Sequence, residues 1–283
     1  MVMLVGFWVL LVSACFHPSY DHPACGPNLE CPSPLICRQL ICEEEGGTTR
    51  DATADASSAA RTRAGLIGLW EFGETSGTTI ADTCDVTPKV PLTVTVGAAT
   101  FSGGTLTPTG AAVIASTVSP HLNADVMKSN AVTLEAWVMP SLVDQGTVAA
   151  PVVVAGLSPS TASRNISILQ AGKRWLARVR TTADTNGGPD LLSTTDITAN
   201  VMTHLVVVSD ATQRILYVDG KANVIDPAPT APLNWDVAYK MTLGNEPVQG
   251  RQWAGTFALV AMYKQALSSA LVTMNHAAGP NGQ

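Results

Sequence analysis

From Gly65 onward the chain is a series of short apolar runs separated by turn residues, and this pattern restricts the fold more than any other feature. The runs are LIGLWEF (66–72), PLTVTV (91–96), AAVIAS (111–116), AVTLEAWVM (131–139), APVVVAG (150–156), ISILQAG (166–172), RWLARVRTT (174–182), THLVVVSD (203–210), RILYVDG (214–220), MTLGN (241–245) and TFALVAMY (256–263). They are rich in Val, Ile, Leu and Thr, whose branched side chains suit a pleated surface. Gly, Pro, Asp, Asn or Ser bound most of them. Such spacing predicts an all-β sandwich or barrel. The clearest hairpin is QRILYVDGKANVI, where Asp219-Gly220 supplies a two-residue turn with both residues at positive φ. Helical periodicity is convincing only in LSSALVTMNHAA (267–278). Ser268 or Ser269 is placed to cap that helix, and Gly279-Pro280 stops it.

Composition sets the outer limits. Hydrophobic residues make up 46% of the 283 and charged residues 13%, which is ample for a sizeable core. The formal net charge is −6, and Lys and Arg are scattered, so nucleic acid is not an expected partner.

Four stretches in order resemble the laminin-G-like, or concanavalin A-like, jelly-roll family. Gly68-Leu69-Trp70-Glu71-Phe72 with the turn through Asp82 is similar to its opening strand. Val132-Thr133-Leu134-Glu135-Ala136-Trp137-Val138 is similar to its Thr-apolar-Glu-Ala-Trp-Val strand. Thr203 to Val207 and Leu216 to Lys221 resemble its paired late strands, and Gly255 to Tyr263 with Ala266-Leu267-Ser268 its closing strand and turn. The resemblance implies a two-sheet antiparallel jelly-roll sandwich over 65–283. It also implies a sheet face or rim that holds ligand, so the tryptophans become candidates, since aromatic rings stack well on sugars. Alternation places Glu135 and Trp137 on one face of their strand and Leu134, Ala136 and Val138 on the other. We therefore take Glu135, Trp137, Asn245, Arg251 and Trp253 as candidate ligand-binding residues, with Trp253 expected to be exposed. Related domains often hold a structural Ca²⁺. Asp82 matches the family's early aspartate, but Gly255-Thr256-Phe257-Ala258-Leu259-Val260 lacks both late acids, so no cofactor is expected.

Catalytic patterns are sparse. The Glu-x-Asp-x-x-Glu strand of retaining glycosidases on this fold is absent, and after Gly65 the glutamates are Glu71, Glu74, Glu135 and Glu246. Glu71 with Glu135 forms an improvised pair at best. There is no G-x-S-x-G, G-x-G-x-x-G or Walker loop. His204 reads as core packing, His276 as surface and Cys84 as a small buried hydrophobe. The expectation is a noncatalytic domain that binds carbohydrate or an extracellular protein. A carbohydrate-active enzyme and a purely structural envelope protein are the alternatives.

The other end of the chain concerns location. Residues 1–14 form an uncharged apolar run too short to span a bilayer and suited to a signal peptide. Val12-Ser13-Ala14-Cys15 resembles the bacterial lipobox, although the usual early Lys or Arg is missing. The resemblance implies that Cys15 is acylated, with the membrane as partner through that anchor. Phe16 in place of Asp implies the outer membrane of a bacterial envelope. Cys25, Cys31, Cys37 and Cys42 follow in 15–42 without any C-x-x-C, so an exported segment crosslinked by two disulfides is expected, with three connectivities open. Residues 43–64 contain no large apolar side chain and are read as a flexible linker. Mass spectrometry of the membrane-extracted protein is expected to show cleavage before Cys15 and added acyl chains. Cys15→Ser is expected to abolish both.

Overall fold

The computed structural model describes residue 31 and residues 35–38, 41–44, 60–117, 120–227 and 234–282. The leader 1–14, Cys15 and Cys25 lie outside the described residues. The chain divides into two compact units, Met1–Asp55 and Ala56–Gln283.

In the smaller unit, β1 (Leu35–Arg38) and β2 (Ile41–Glu44) form an antiparallel hairpin. Cys37 lies opposite Cys42 in that register, yet Cys42 bonds to Cys31.

The larger unit is the expected sandwich. Its strands are β3 (Leu66–Trp70), β4 (Thr79–Ile80), β5 (Leu92–Ser102), β6 (Thr105–Ser116), β7 (Val132–Pro140), β8 (Val152–Ser158), β9 (Ile166–Ala171) and β10 (Arg174–Val179). They continue with β11 (Leu191–Asp196), β12 (Thr203–Ser209), β13 (Arg214–Val218), β14 (Lys221–Asp226), β15 (Lys240–Leu243) and β16 (Gly255–Tyr263). One hydrogen-bonded path runs β11-β10-β9-β8-β15-β6-β16-β7-β12-β13-β14, with β3 added on β16 and the hairpin partner β5 on β6. The path folds over at β6 and β16, which pair only at Leu106 and Phe257. Its two ends then meet, where Thr194 N–H donates to Asn223 Oδ1 at 2.7 Å. All strand pairs in this unit are antiparallel.

Alternation decides what each strand buries. Leu134, Ala136 and Val138 of β7, Leu205 and Val207 of β12, Leu216 of β13, and Val260 and Met262 of β16 face the second layer across the main core. Ile168 of β9 and Trp175, Ala177 and Val179 of β10 meet them from the other side. The opposite face of the first layer carries its own apolar cluster, with Trp137, Val206, Val208, Ile215, Tyr217, Leu259 and Tyr263. A helix covers it, contributing Val272. That is why β7, β12 and β16 are buried along nearly every residue rather than every second one.

Several local expectations hold. Asp219 and Gly220 have φ of 49° and 73°. The closing helix, α2 (Ser269–Ala278), is capped by Ser268, whose hydroxyl accepts from Leu271 N–H at 3.3 Å. A helix the sequence reading did not anticipate precedes β7: α1 (Pro120–Ser129) buries only Leu122, Asn123 and Val126, so its apolar signal is one i,i+4 pair. Its boundary clues are the proline at the first helical position, Lys128 in the last turn and Asn130, at φ 49°, just past the end. The linker also ends earlier than position 64. Residues 45–59 lie outside the described residues, but Arg61 and Thr62 are buried within the larger unit.

Asp82, the family's early aspartate, spends its carboxylate on backbone. It accepts from Leu69 N–H and Cys84 N–H at 3.0 Å each and from Val90 N–H at 2.9 Å. These bonds tie β3 to the segment leading into β5. Each buried N–H left without a partner costs about 1–3 kcal/mol. Asp82→Ala is therefore expected to lower the unfolding free energy by about 3 kcal/mol, and Asp82→Asn by less, in denaturant titration of the two variants.

Candidate functional site

Glu135 stands in the middle of β7, on the face turned toward α2, and has no exposed surface. A bare carboxylate there is costly, so the chain surrounds it with donors. Arg61 forms an ion pair with Oε1, and the same oxygen lies 2.8 Å from Nε2 of His204. Asn275 Nδ2 donates to Oε2 at 2.8 Å and the Tyr263 hydroxyl at 3.1 Å. Burial raises the carboxyl's pKa, but the His204 hydrogen bond and the Arg61 charge outweigh it and hold it at about 2, against an ordinary 4.5. Burial and the nearby Glu135 charge push the Tyr263 hydroxyl well above its usual range. Arg61 also donates to the carbonyl of Gly279 at 2.8 Å, and Thr62 N–H to Asn275 Oδ1 at 2.9 Å. One carboxylate thus joins the entering chain, the strands β7, β12 and β16, and the closing helix.

This arrangement corrects the ligand-binding expectation for Glu135 and Trp137. Trp137 is 7% exposed because helix α2 lies over its face. Its ring stacks on His204 at 4.6 Å and on His276 at 5.5 Å. His276 is accordingly half-buried rather than a surface residue, and burial followed by the His204 charge lowers its pKa. His204 packs in this second core as expected.

Trp253 is also not where the sequence reading put it. It is fully buried in the main core, edge-on to Phe257 at 5.2 Å. Gly255 makes room, since any Cβ there would strike the Trp253 ring. The indole N–H donates to Gln170 Oε1 at 2.8 Å, and Gln145 Nε2 donates to the same oxygen at 3.1 Å. Asn245, 1% exposed, acts as a loop brace: its Oδ1 accepts from the backbone N–H of Glu246 at 2.9 Å and of Arg251 at 3.0 Å. Of the five candidates Arg251 is half-exposed and the other four are buried.

Around Arg251 the structure gathers groups the sequence reading did not connect. The loop after β15 lays Glu246 against Ser158 at the end of β8, where the serine hydroxyl donates to Oε2. Arg164 approaches Glu246 Oε1 to 3.6 Å and is itself fixed by Asn186 Oδ1 and the Thr161 carbonyl, both at 2.9 Å. Arg178, which alternates with the core residues Ala177 and Val179, points outward and is held by Asp190 at 2.6 and 2.9 Å. Burial pushes Glu246 up, opposed by Ser158, Arg164 and Arg251. Burial likewise pushes Arg164 down, with Glu246 opposing and the charges of Arg178 and Arg251 adding to it. Asn245 Nδ2 and Glu246 Oε1 are buried without a hydrogen-bond partner. Glu246 Oε1 keeps the Arg164 charge at 3.6 Å, so of these two atoms only the Asn245 donor is wholly unpaired among the described residues.

A laminin G-type family model, described as the concanavalin A-like lectin/glucanases superfamily, matches residues 114–273, more than half of the chain. The chain belongs to this superfamily. Its sandwich is similar to Trypanosoma rangeli sialidase in complex with 2,3-difluorosialic acid, at 17% identity and a TM-score of 0.55, covering 75% of this chain and 33% of that one. It is similar to the binding domain of botulinum neurotoxin DC in complex with rat synaptotagmin II, at 11% identity and 0.58, covering 75% and 51%. It is also similar to domain 4 of AbnA, a GH43 extracellular arabinanase from Geobacillus stearothermophilus, in complex with arabinotriose, at 16% identity and 0.55, covering 74% and 97%. At these identities the likeness concerns the fold. This chain spans about a third of the sialidase. No protein of curated function matches the sequence. In this concanavalin A-like domain the site that sequence reasoning missed, Glu246 with Arg164 and Arg178, left one faint signal: a glutamate in a turn-rich loop of a chain with few charges.

Glu135 supplies a pH test. A carboxyl held at about 2 in the folded state stabilises the protein above its ordinary value of 4.5, and that contribution drains away as pH falls toward 2. Between pH 5 and 2 the wild-type unfolding free energy is expected to drop by a few kcal/mol more than that of Glu135→Gln. Glu135→Ala, which strands Arg61, is expected to cost about 3–5 kcal/mol at neutral pH. Parallel pH curves for wild type and Glu135→Gln contradict the charged clasp.

Proposed function

We propose that this chain is a lipid-anchored protein of the bacterial cell envelope, at the outer membrane, whose concanavalin A-like domain is noncatalytic and binds carbohydrate or an extracellular protein. The single observation that carries the binding reading is the half-exposed Arg251 side chain, whose guanidinium no hydrogen bond or ion pair engages among the described residues. The first layer's outer face is sealed by α2 and the Glu135 clasp. The second layer's outer face is covered too, its cluster of Val153, Leu169, Ala171 and Leu176 being no more than 5% exposed, and Arg251 lies at its edge, with its carbonyl accepting from Val153 N–H at 2.8 Å. Glu135, the carboxylate most suggestive of chemistry in the sequence, has every acceptor position committed to internal donors, which argues against a catalytic role. The neighbours in complex with arabinotriose and with synaptotagmin II support ligand binding by domains of this shape. The anchor rests on Val12 to Cys15, and the outer membrane on Phe16.

One observation favours a second reading, a carbohydrate-active enzyme. Glu246 is a buried carboxyl whose pKa is pushed up, the environment that suits a general acid. A glycan array probed with the full chain, followed by a reducing-end assay on each bound glycan, separates the two. The expected outcome is retention of particular glycans with no new reducing ends. Turnover that disappears in Glu246→Gln replaces the binding reading with the enzymatic one.

A further inference from the structure

We propose that the free edge of β5, from Ala98 to Ser102, pairs antiparallel with the same edge of a second copy of this chain, Thr100 facing Thr100 across a two-fold axis. The occupant is this protein itself, and the contact does not depend on what the domain binds.

The first ground is an unpaired strand edge. β6 runs along one side of β5, while on the other side β4 reaches only Leu92 and Thr93. Val94 N–H still donates to the Thr78 carbonyl at 2.8 Å, and beyond it no backbone group of the described residues meets the outer side of the strand. Register shifts on either side of Val96 give way to regular pairing with β6 from Ala98 to Ser102. The turn decides which groups point outward. Gly103 and Gly104, at φ of 57° and 76°, form a two-residue hairpin closed by Ser102 and Thr105. The closing pair exchanges both hydrogen bonds, so alternation points the N–H and C=O of Ser102, Thr100 and Ala98 at β6 and those of Phe101 and Ala99 away from it. The Thr109 hydroxyl, on β6, accordingly donates to the Ala98 carbonyl at 3.3 Å. The side chains of Ala99 and Phe101 pack against the main core, whereas Ala98, Thr100 and Ser102 are exposed.

The second ground is the protection this edge lacks. Exposed edge strands usually turn neighbours away with Lys, other charges or Pro. Residues 90–116 contain no Asp, Glu, Lys or Arg, and the edge itself, Ala98-Ala99-Thr100-Phe101-Ser102, contains no proline. The third ground selects the occupant. The outward groups of Ala99 and Phe101 lie symmetrically about Thr100. A two-fold axis at Thr100 lets Ala99 of each copy exchange both hydrogen bonds with Phe101 of the other, so every outward group of the edge finds a partner. Two copies of a chain of net charge −6 repel one another over much of their surface, and an uncharged strand is where they meet without that repulsion. The small exposed side chains of Ala98, Thr100 and Ser102 allow the strands to approach to the ordinary ladder spacing, and Thr facing Thr is a favourable cross-strand pair.

The test cross-links the full chain in membranes and weighs it in mild detergent. Facing residues that exchange no hydrogen bonds lie about 4.5 Å apart at Cα, within the range of about 4.4–6.8 Å that a disulfide spans. Thr100→Cys is expected to form a covalent dimer on mild oxidation. Ser102→Cys, which faces Ala98 of the second copy, is expected to form far less, and the parent chain, whose Cys84 is buried, is the control for other thiols. Thr100→Lys, an exposed change that sets like charges opposite each other, is expected to halve the mass measured by sedimentation at a concentration where the parent is dimeric. Ala99→Pro, which removes an outward N–H, is expected to weaken the dimer as well. A parent chain that sediments as a monomer overturns the proposal and leaves the edge to an extended strand of another protein. A dimer that persists in Thr100→Lys, or oxidation that links Ser102→Cys as readily as Thr100→Cys, also overturns it, since either result places the contact elsewhere.

Discussion

A single carboxylate cut off from water conditions much of the larger unit. Glu135 occupies the central strand of a layer whose two faces are both covered, so its charge must be stabilised from within. The donors come from places far apart in the chain: Arg61 ahead of the first strand, His204 and Tyr263 on the flanking strands, Asn275 on the last helix. None of these groups alone offsets the loss of hydration. Together they hold the carboxyl ionised, and in doing so they fasten both ends of the domain to the centre of the sheet. The chain arriving from the smaller unit is therefore secured at Arg61, before the strand pattern begins.

The same constraint makes the sandwich asymmetric. Helix α2 and the stacked rings of His276, Trp137 and His204 close the first layer's outer face. The second layer's outer face is covered as well, with Val153, Leu169 and Leu176 no more than 1% exposed. Its outer face combines Val153, Leu169 and Leu176 with outward Arg178 and Ser167, and the loop from Gly244 to Gln252 folds beside it. A concanavalin A-like fold hosts many activities, so the superfamily alone does not choose among them. Among the described residues, buried polar atoms without hydrogen-bond partners occur beside both layers, Trp137 Nε1 and His204 Nδ1 on the first and Asn245 Nδ2 and Glu246 Oε1 on the second.

What sequence reasoning recovered and what it missed divide along a physical line. The strand series, the Asp219-Gly220 turn, the Ser268 cap and the two-faced character of β7 each depend on residues within a few positions of one another. Local sterics and period-two alternation encode them directly. The assignment of Trp137 and Glu135 to one face and Leu134, Ala136 and Val138 to the other was legible for this reason. Their exposure was not, because the helix that covers them begins more than a hundred residues later in the chain. Trp253 shows the same limit. Its surroundings in sequence are polar and turn-rich, but Gly255 and the glutamines from two other segments draw the ring inward.

The sequence by itself determined the strand pattern, the superfamily, and the local turns and caps, since these follow from short-range periodicity and backbone preference. Only the tertiary structure decided that Arg61 belongs to the folded unit, that Cys42 pairs with Cys31 rather than with the facing Cys37, and that Arg164, Arg178 and Arg251 share one face with Glu246. Each of these joins groups separated by loops whose closure no local pattern records. Their partners are selected by burial, which exists only once the two layers have packed.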